Sequence, residues 1–256
     1  MKKHISFAIL LCTAALAACG TKEVQSITGP LASARVKFFN FGVNAPGVNF
    51  YANTTKMTAI SSTSGVESTT GTAYGSVGDG GYYSAITPGP YTLSGTIAAA
   101  IDKDLPIAKI AVTIADGKNY SFYLSGPYDP VGKAVDGFLV EDPFSPTIDF
   151  TVAYVRFVHA ISNANAMTLY AKSETTGTEV PVGALVPYKS GGAFTALPQD
   201  VYDLGARYAG LSTNAISRTA VSFVAGRVYT IGARGDITVT STTATNRPFL
   251  DNTANR

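Results

Sequence analysis

Residues 34–53 read ARVKFFNFGVNAPGVNFYAN, and residues 153–172 read AYVRFVHAISNANAMTLYAK. Set one above the other, the two stretches agree at Ala34, Val36, Phe38, Asn44, Ala45, Tyr51 and Ala52. The echo continues downstream. Gly81–Leu93 follows Gly192–Leu204 with Ala85/Ala196, Tyr91/Tyr202 and Leu93/Leu204 in step. Ile107–Gly126 follows Ile216–Gly235, sharing Ala111/Ala220, Val112/Val221, Gly117/Gly226 and Tyr120/Tyr229, and Phe138-Leu139 is repeated as Phe249-Leu250. The offset drifts because loops differ in length, above all the longer Asn53–Gly80 connection of the first copy. A unit of roughly 110 residues is too long for a solenoid repeat and suits a domain, so the chain is a duplication.

Each copy reads as strands. Val36-Lys37-Phe38, Val48-Asn49-Phe50 and Tyr120-Ser121-Phe122 alternate, as do Val155-Arg156-Phe157, Met167-Thr168-Leu169 and Tyr229-Thr230-Ile231. Asp116-Gly117, Ala225-Gly226 and Pro88-Gly89-Pro90 punctuate them as turns. The first copy is expected to place strands near 34–41, 47–52, 81–86, 90–97, 106–114, 118–125 and 136–141. The expected class is therefore all-β: two tandem antiparallel β-sandwich domains, 34–145 and 146–256, with Ig-like and transthyretin-like connectivity both open. The duplication also sorts faces. Tyr83 aligns with Phe194 and Ala85 with Ala196, which predicts that they point inward, while Tyr82, aligned with Ala193, points out. Tyr120 and Phe122 are expected inside with Tyr229 and Ile231, and Tyr123, aligned with Gly232, outside.

Composition agrees with a folded β protein. Of 256 residues, 46% are hydrophobic, 14% are charged and 25 are glycine, the opposite of a disordered chain. Nineteen basic residues against 17 acidic ones leave a formal charge of +2, too small to support nucleic-acid binding.

The N-terminus reads as an address. Met1-Lys2-Lys3-His4 precedes an apolar run from Ile5 to Leu16, which is short for a membrane span and suits a secretory signal. It ends in Leu16-Ala17-Ala18-Cys19, which resembles the bacterial lipobox. The resemblance implies cleavage of residues 1–18 as a lipoprotein signal peptide and a lipid on Cys19. A tether over 19–33 would follow. An ordinary signal cut near Ala17 is the alternative. Two or three acyl chains hold a protein firmly where one does not. Gly20, rather than aspartate, after the cysteine favours the outer membrane by analogy with enterobacterial sorting, with either leaflet open. Losing Lys2 and Lys3 leaves 17 basic and 17 acidic residues. With Cys12 removed and Cys19 lipidated, no disulfide is expected.

The run Val155-Arg156-Phe157-Val158-His159-Ala160, then Asn163-Ala164 and Met167-Thr168-Leu169-Tyr170, resembles the opening of the DUF4397 domain. Ala225-Gly226-Arg227-Val228-Tyr229-Thr230 matches a later element of that family, and Pro88-Gly89-Pro90-Tyr91 and Pro198–Tyr202 stand at its middle turn. The second copy fits better, since the first has Asn40 where the family often has His. The resemblance covers nearly the whole mature chain. It implies an exported or surface protein, often with tandem copies, and it brings no established activity.

Catalytic side chains are scarce. His159 is the one histidine beyond His4, and Asn40 in the matching place points to a shared hydrogen bond to the turn backbone. No Gly-x-Ser-x-Gly elbow occurs, and one histidine without free cysteine does not make an ordinary zinc site. Asp102-Lys103-Asp104, Val77–Gly81 and Glu141-Asp142 lack EF-hand spacing and read as solvated loops. Val77–Gly81 precedes a strand, so it is no phosphate cradle. Neither cofactor nor metal is expected. Tyr82 and Tyr123, with Tyr74 and Tyr128 in loops, could form an aromatic patch for a protein or glycan ligand. The expected function is a non-catalytic envelope lipoprotein, held to the membrane by its lipid and serving as an interaction or structural module. The alternative is a carbohydrate-active envelope enzyme with a carboxylate pair.

Overall fold

The computed structural model describes residues 32–58, 69–145 and 147–255. The signal peptide, Cys19 and the tether up to residue 31 lie outside the described residues. Residues 32–256 belong to one compact unit. The first copy runs β1 (Ala34–Asn40), β2 (Val48–Ala52), β3 (Thr55–Lys56), β4 (Ser76–Val77), β5 (Ser84–Ile86), β6 (Gly89–Ile97), β7 (Pro106–Ile114), β8 (Asn119–Asp129) and β9 (Ala134–Glu141). The second runs β10 (Val152–His159), β11 (Met167–Ser173), β12 (Glu179–Val186), β13 (Ser190–Gly191), β14 (Thr195–Pro198), β15 (Asp200–Tyr208), β16 (Ile216–Phe223), β17 (Val228–Arg234) and β18 (Phe249–Ala254).

Both copies are two-sheet sandwiches of one topology. In the first, β4-β1-β8-β9, with β5 also on β1, faces β3-β2-β6-β7; in the second, β13-β10-β17-β18, with β14 on β10, faces β12-β11-β15-β16. All strand pairs are antiparallel except β1 with β8 and β10 with β17. The expected antiparallel sandwiches are therefore present, with one parallel pair in each. The 78 residues between β1 and β8 and the 68 between β10 and β17 are enough for the crossover that parallel pairing needs.

Each sandwich has its own core. Val36, Phe38, Phe50, Leu93, Tyr120 and Phe122 fill the first, while Val155, Phe157, Leu169, Tyr202, Phe223, Tyr229 and Ile231 fill the second. Phe38, Phe50 and Phe122 meet at centroid distances of 5.1–6.2 Å, two of the three pairs edge-on, as ring quadrupoles prefer.

A third cluster lies between the sandwiches. Phe39, Phe41, Tyr123 and Phe138 of the first copy pack with Val158 and Ala160 of the second. β1 is accordingly buried on both faces from Val36 to Asn40, which a half-exposed strand would not be. Tyr123 does point away from its own core, as expected, but it is 0% exposed because the second sandwich covers it. Its ring stacks on Phe39 at 4.4 Å and on Phe138 at 5.1 Å. The aligned positions explain the fit. Phe39, Phe41 and Tyr123 correspond to Val158, Ala160 and Gly232, so one copy supplies rings and the other the space for them. A Cβ on Gly232 would sit 2.8 Å from the Phe41 ring.

Two further expectations are corrected at this seam. Tyr83 and Phe194 turn toward it instead of into their own cores, and Ala85 and Ala196 are exposed, while Ile86 and Leu197 fill the cores. Tyr128 lies in β8, half-buried against the first core, not in a loop.

Candidate functional site

The polar part of the seam follows from two cations inside apolar runs. Lys37 and Arg156 occupy the same place on β1 and β10, and both are fully buried. Arg156 crosses to the end of β9. It donates to the Glu141 carbonyl at 2.9 Å and to the Asp142 carboxylate, and its Nε donates to Thr230 Oγ1 at 3.0 Å. Lys37 makes the mirror-image reach to the end of β18, donating to the Ala254 carbonyl at 3.1 Å and Asn255 Oδ1 at 2.9 Å. Strand register makes Asp142 the counterpart of Asn255. The rings match as well: Lys37 Nζ lies 4.4 Å from the Tyr83 centroid, and the Arg156 guanidinium 5.1 Å from that of Phe194. Two copies of one clamp, related by a local pseudo-twofold, thus join the sandwiches.

The clamp is charged unequally. Asp142 also accepts from Tyr83 Oη at 2.6 Å and Ser121 Oγ at 2.7 Å, whereas its counterpart Asn255 is neutral. Two buried cations therefore share one carboxylate. Burial lowers the Lys37 ammonium to about 8, opposed by the attraction of Asp142. Burial and the Asp142 charge raise the Tyr83 phenol well above its ordinary range, so it stays a donor. Asp142, expected in a solvated loop, is the most heavily bonded carboxylate of the seam.

Other residues singled out from the sequence have structural work. His159 is fully buried; its Nδ1 accepts from Ile161 N at 3.2 Å, so Nε2 donates to the Asn165 carbonyl at 3.0 Å. Asn40 donates at 3.0 Å to the Pro46 carbonyl, the matching position, and at 2.9 Å to Thr72 O. The shared turn bond expected from their alignment is present. Burial lowers the His159 pKa, with the Asn165 bond opposing. Because the fold holds the neutral ring, the unfolded chain takes up the proton first. Stability is intact above the unfolded value of about 6.5 and is lost as pH falls below it, at up to about 1.4 kcal/mol per pH unit. His159→Asn is expected to abolish this acid dependence, checked by urea unfolding between pH 7 and pH 5; a variant that keeps the same slope would place the titration elsewhere.

The acidic candidates are likewise engaged. Glu141 pairs with Lys118 and Asp102 with Lys133. Among the described residues no group of three or more metal-ligating side chains converges.

The expected aromatic patch is dissolved. Tyr123 is buried, Tyr128 belongs to β8, and Tyr74 lies beside the Arg234 guanidinium, 5.0 Å from its ring centroid, where Arg234 also binds Asp251. Tyr82 alone of the four stands free, at 78% exposure. It borders a groove of about 450 Å³ that straddles the two sandwiches, lined by Arg35, Gly80, Gly81, Tyr82 and Tyr83 of the first and by Arg227, Ala254 and Asn255 of the second. Gly81 takes φ +88°, a conformation that favours glycine and that lets the chain turn sharply into Tyr82. Both arginines are exposed, and among the described residues neither meets a carboxylate. The duplication supplies a control. At the matching place in the second copy lies a groove of about 350 Å³ in which Tyr154, Ala193 and Phe194 replace Arg35, Tyr82 and Tyr83, with the linker residues Pro143, Phe144 and Ser145 alongside. That groove is apolar, and the first is cationic. Sequence reading missed Arg35 and Arg227 because they come from different copies; the available signal was Arg35 facing Tyr154 in the alignment of otherwise matching strands.

No family model and no curated protein matches the chain. Among solved structures, a leucine-rich repeat protein from Bacteroides thetaiotaomicron is similar over 80% of this chain but 26% of that one, at 10% identity and a TM-score of 0.20. A protein named for cell adhesion, from Bacteroides ovatus, is similar over 89% of this chain and 97% of that one, at 11% identity and a TM-score of 0.23. Likenesses this shallow carry no argument about activity, and the fold assignment rests on the sheets themselves.

Proposed function

We propose that this chain is a non-catalytic interaction module of the bacterial cell envelope, moored through a lipid on Cys19 and built from two DUF4397-like sandwiches. The observation that carries the reading is the groove astride the sandwiches, where Tyr82 and two arginines stand unengaged while His159, Lys37, Arg156 and Asp142 are spent in structure. The histidine is locked by two backbone bonds. Carboxylates at 102, 141, 142, 179 and 251 face cations, which supports binding over carboxylate chemistry. The lipobox-like Leu16–Cys19 supports the mooring.

Membrane fractionation and crosslinking test both halves. The wild-type chain is expected in the detergent-extractable membrane fraction and Cys19→Ala in the soluble one; a non-aggregated Cys19→Ala protein that stays with the membrane would refute the anchor. A photo-crosslinking residue in place of Tyr82 is expected to give a discrete adduct in the native organism, and one in place of exposed Leu211 to give none. Equal, diffuse labelling from both positions would refute the contact site.

A further inference from the structure

We infer that the cationic groove binds a carboxylated sugar, an assignment that rests on the interaction reading and names the ligand class of its site. Four observations converge. Arg35 and Arg227 line one groove without a carboxylate among its lining residues, and a planar guanidinium matches a carboxylate through two parallel hydrogen bonds. Behind the groove, Lys37 bonds to Ala254 and Asn255 and lies against the Tyr83 ring. The buried cations outnumber the buried carboxylate they share, so the groove floor carries excess positive charge in a poorly screened setting. Tyr82 offers an almost bare ring at the rim, the kind of flat apolar platform on which the C–H face of a pyranose stacks. Finally, the counterpart groove has lost the first arginine and the exposed tyrosine together, as Tyr154 and Ala193. Charge and platform are thus specific to one end of the seam.

A ring with a carboxylate uses both features; a neutral sugar leaves the arginines idle, and an acidic peptide has no need of the Tyr82 platform. Uronic and sialic acids share this chemistry. The test titrates the full chain in detergent, at low salt, with tri-galacturonate, sialyllactose, maltotriose and oligoglutamate. Saturable binding of tri-galacturonate or sialyllactose is expected, with maltotriose at least about tenfold weaker. Arg35→Gln combined with Arg227→Gln is expected to weaken the acidic sugar about tenfold or more while melting like wild type, because both side chains are exposed. Tyr82→Ala is expected to weaken it several-fold. The assignment is overturned if neither acidic sugar saturates at millimolar concentration, if maltotriose binds as well, or if the double variant binds unchanged. Oligoglutamate binding that is as tight and indifferent to Tyr82→Ala would overturn it in favour of a peptide. A discrete crosslink from position 82 without sugar binding would remove the sugar class and leave the interaction module standing.

Discussion

Asp142→Ala is expected to lower the free energy of unfolding by about 3–5 kcal/mol, the cost of breaking a buried ion pair by deleting one partner. Asp142 is 1% exposed and accepts from Arg156, Tyr83 and Ser121. Without it Arg156 and Lys37 are left as buried like charges with nothing to offset them, and the Tyr83 hydroxyl loses its acceptor. The effect is largest at the seam, so Tyr83, a wall of the groove, loosens with it. Replacing the charged partners together by apolar residues of similar volume, as in Lys37→Met with Arg156→Met and Asp142→Leu, is expected to recover much of the loss. Denaturant unfolding measures both. A change in Asp142→Ala below about 1 kcal/mol, typical of an exposed pair, would mean that the seam is open to water.

Tyr123→Ala is expected to cost a similar amount, about 3–5 kcal/mol, as for other large aromatic truncations in packed cores. The ring fills the space between Phe39 and Phe138 and has no solvent face. The second sandwich offers small residues there, among them Ala160 and Gly232, which cannot swing in to close the hole. Glycan or protein contact at Tyr123 would predict the reverse, a variant of wild-type stability with weakened binding. Urea unfolding with near-ultraviolet circular dichroism separates the two, because the tyrosine stack reports on the seam directly.

The strands were legible because their determinants are local. Alternation at Val36–Phe38 and Tyr120–Phe122, with glycine turns at fixed distances, fixes element type, and the duplication repeats the reading independently. The shared role of Asn40 and His159 was legible for the same reason, since both bond to a carbonyl six residues on. Burial at the seam was not. Period-two alternation distinguishes the two faces of a strand but not what covers the second face, so Tyr123 read as exposed and Asp142 as a loop carboxylate. The unused clue was a cation at the same register of two apolar strands, Lys37 and Arg156. A cation kept there in both copies needs a buried acceptor, and that acceptor comes from the opposite copy. Arg35 and Arg227 escaped for a related reason: they lie 192 positions apart and line one groove only because the two sandwiches pack together.

The groove draws its wall from both sandwiches and so requires the clamp to hold them as one body. Backbone nitrogen-15 relaxation of the full chain measures this directly. One rotational correlation time shared by β1–β9 and β10–β18, with slow amide exchange at Tyr123 and Val158, is the expected result. Separate correlation times for the two sandwiches, or rapid exchange at those amides, would contradict it.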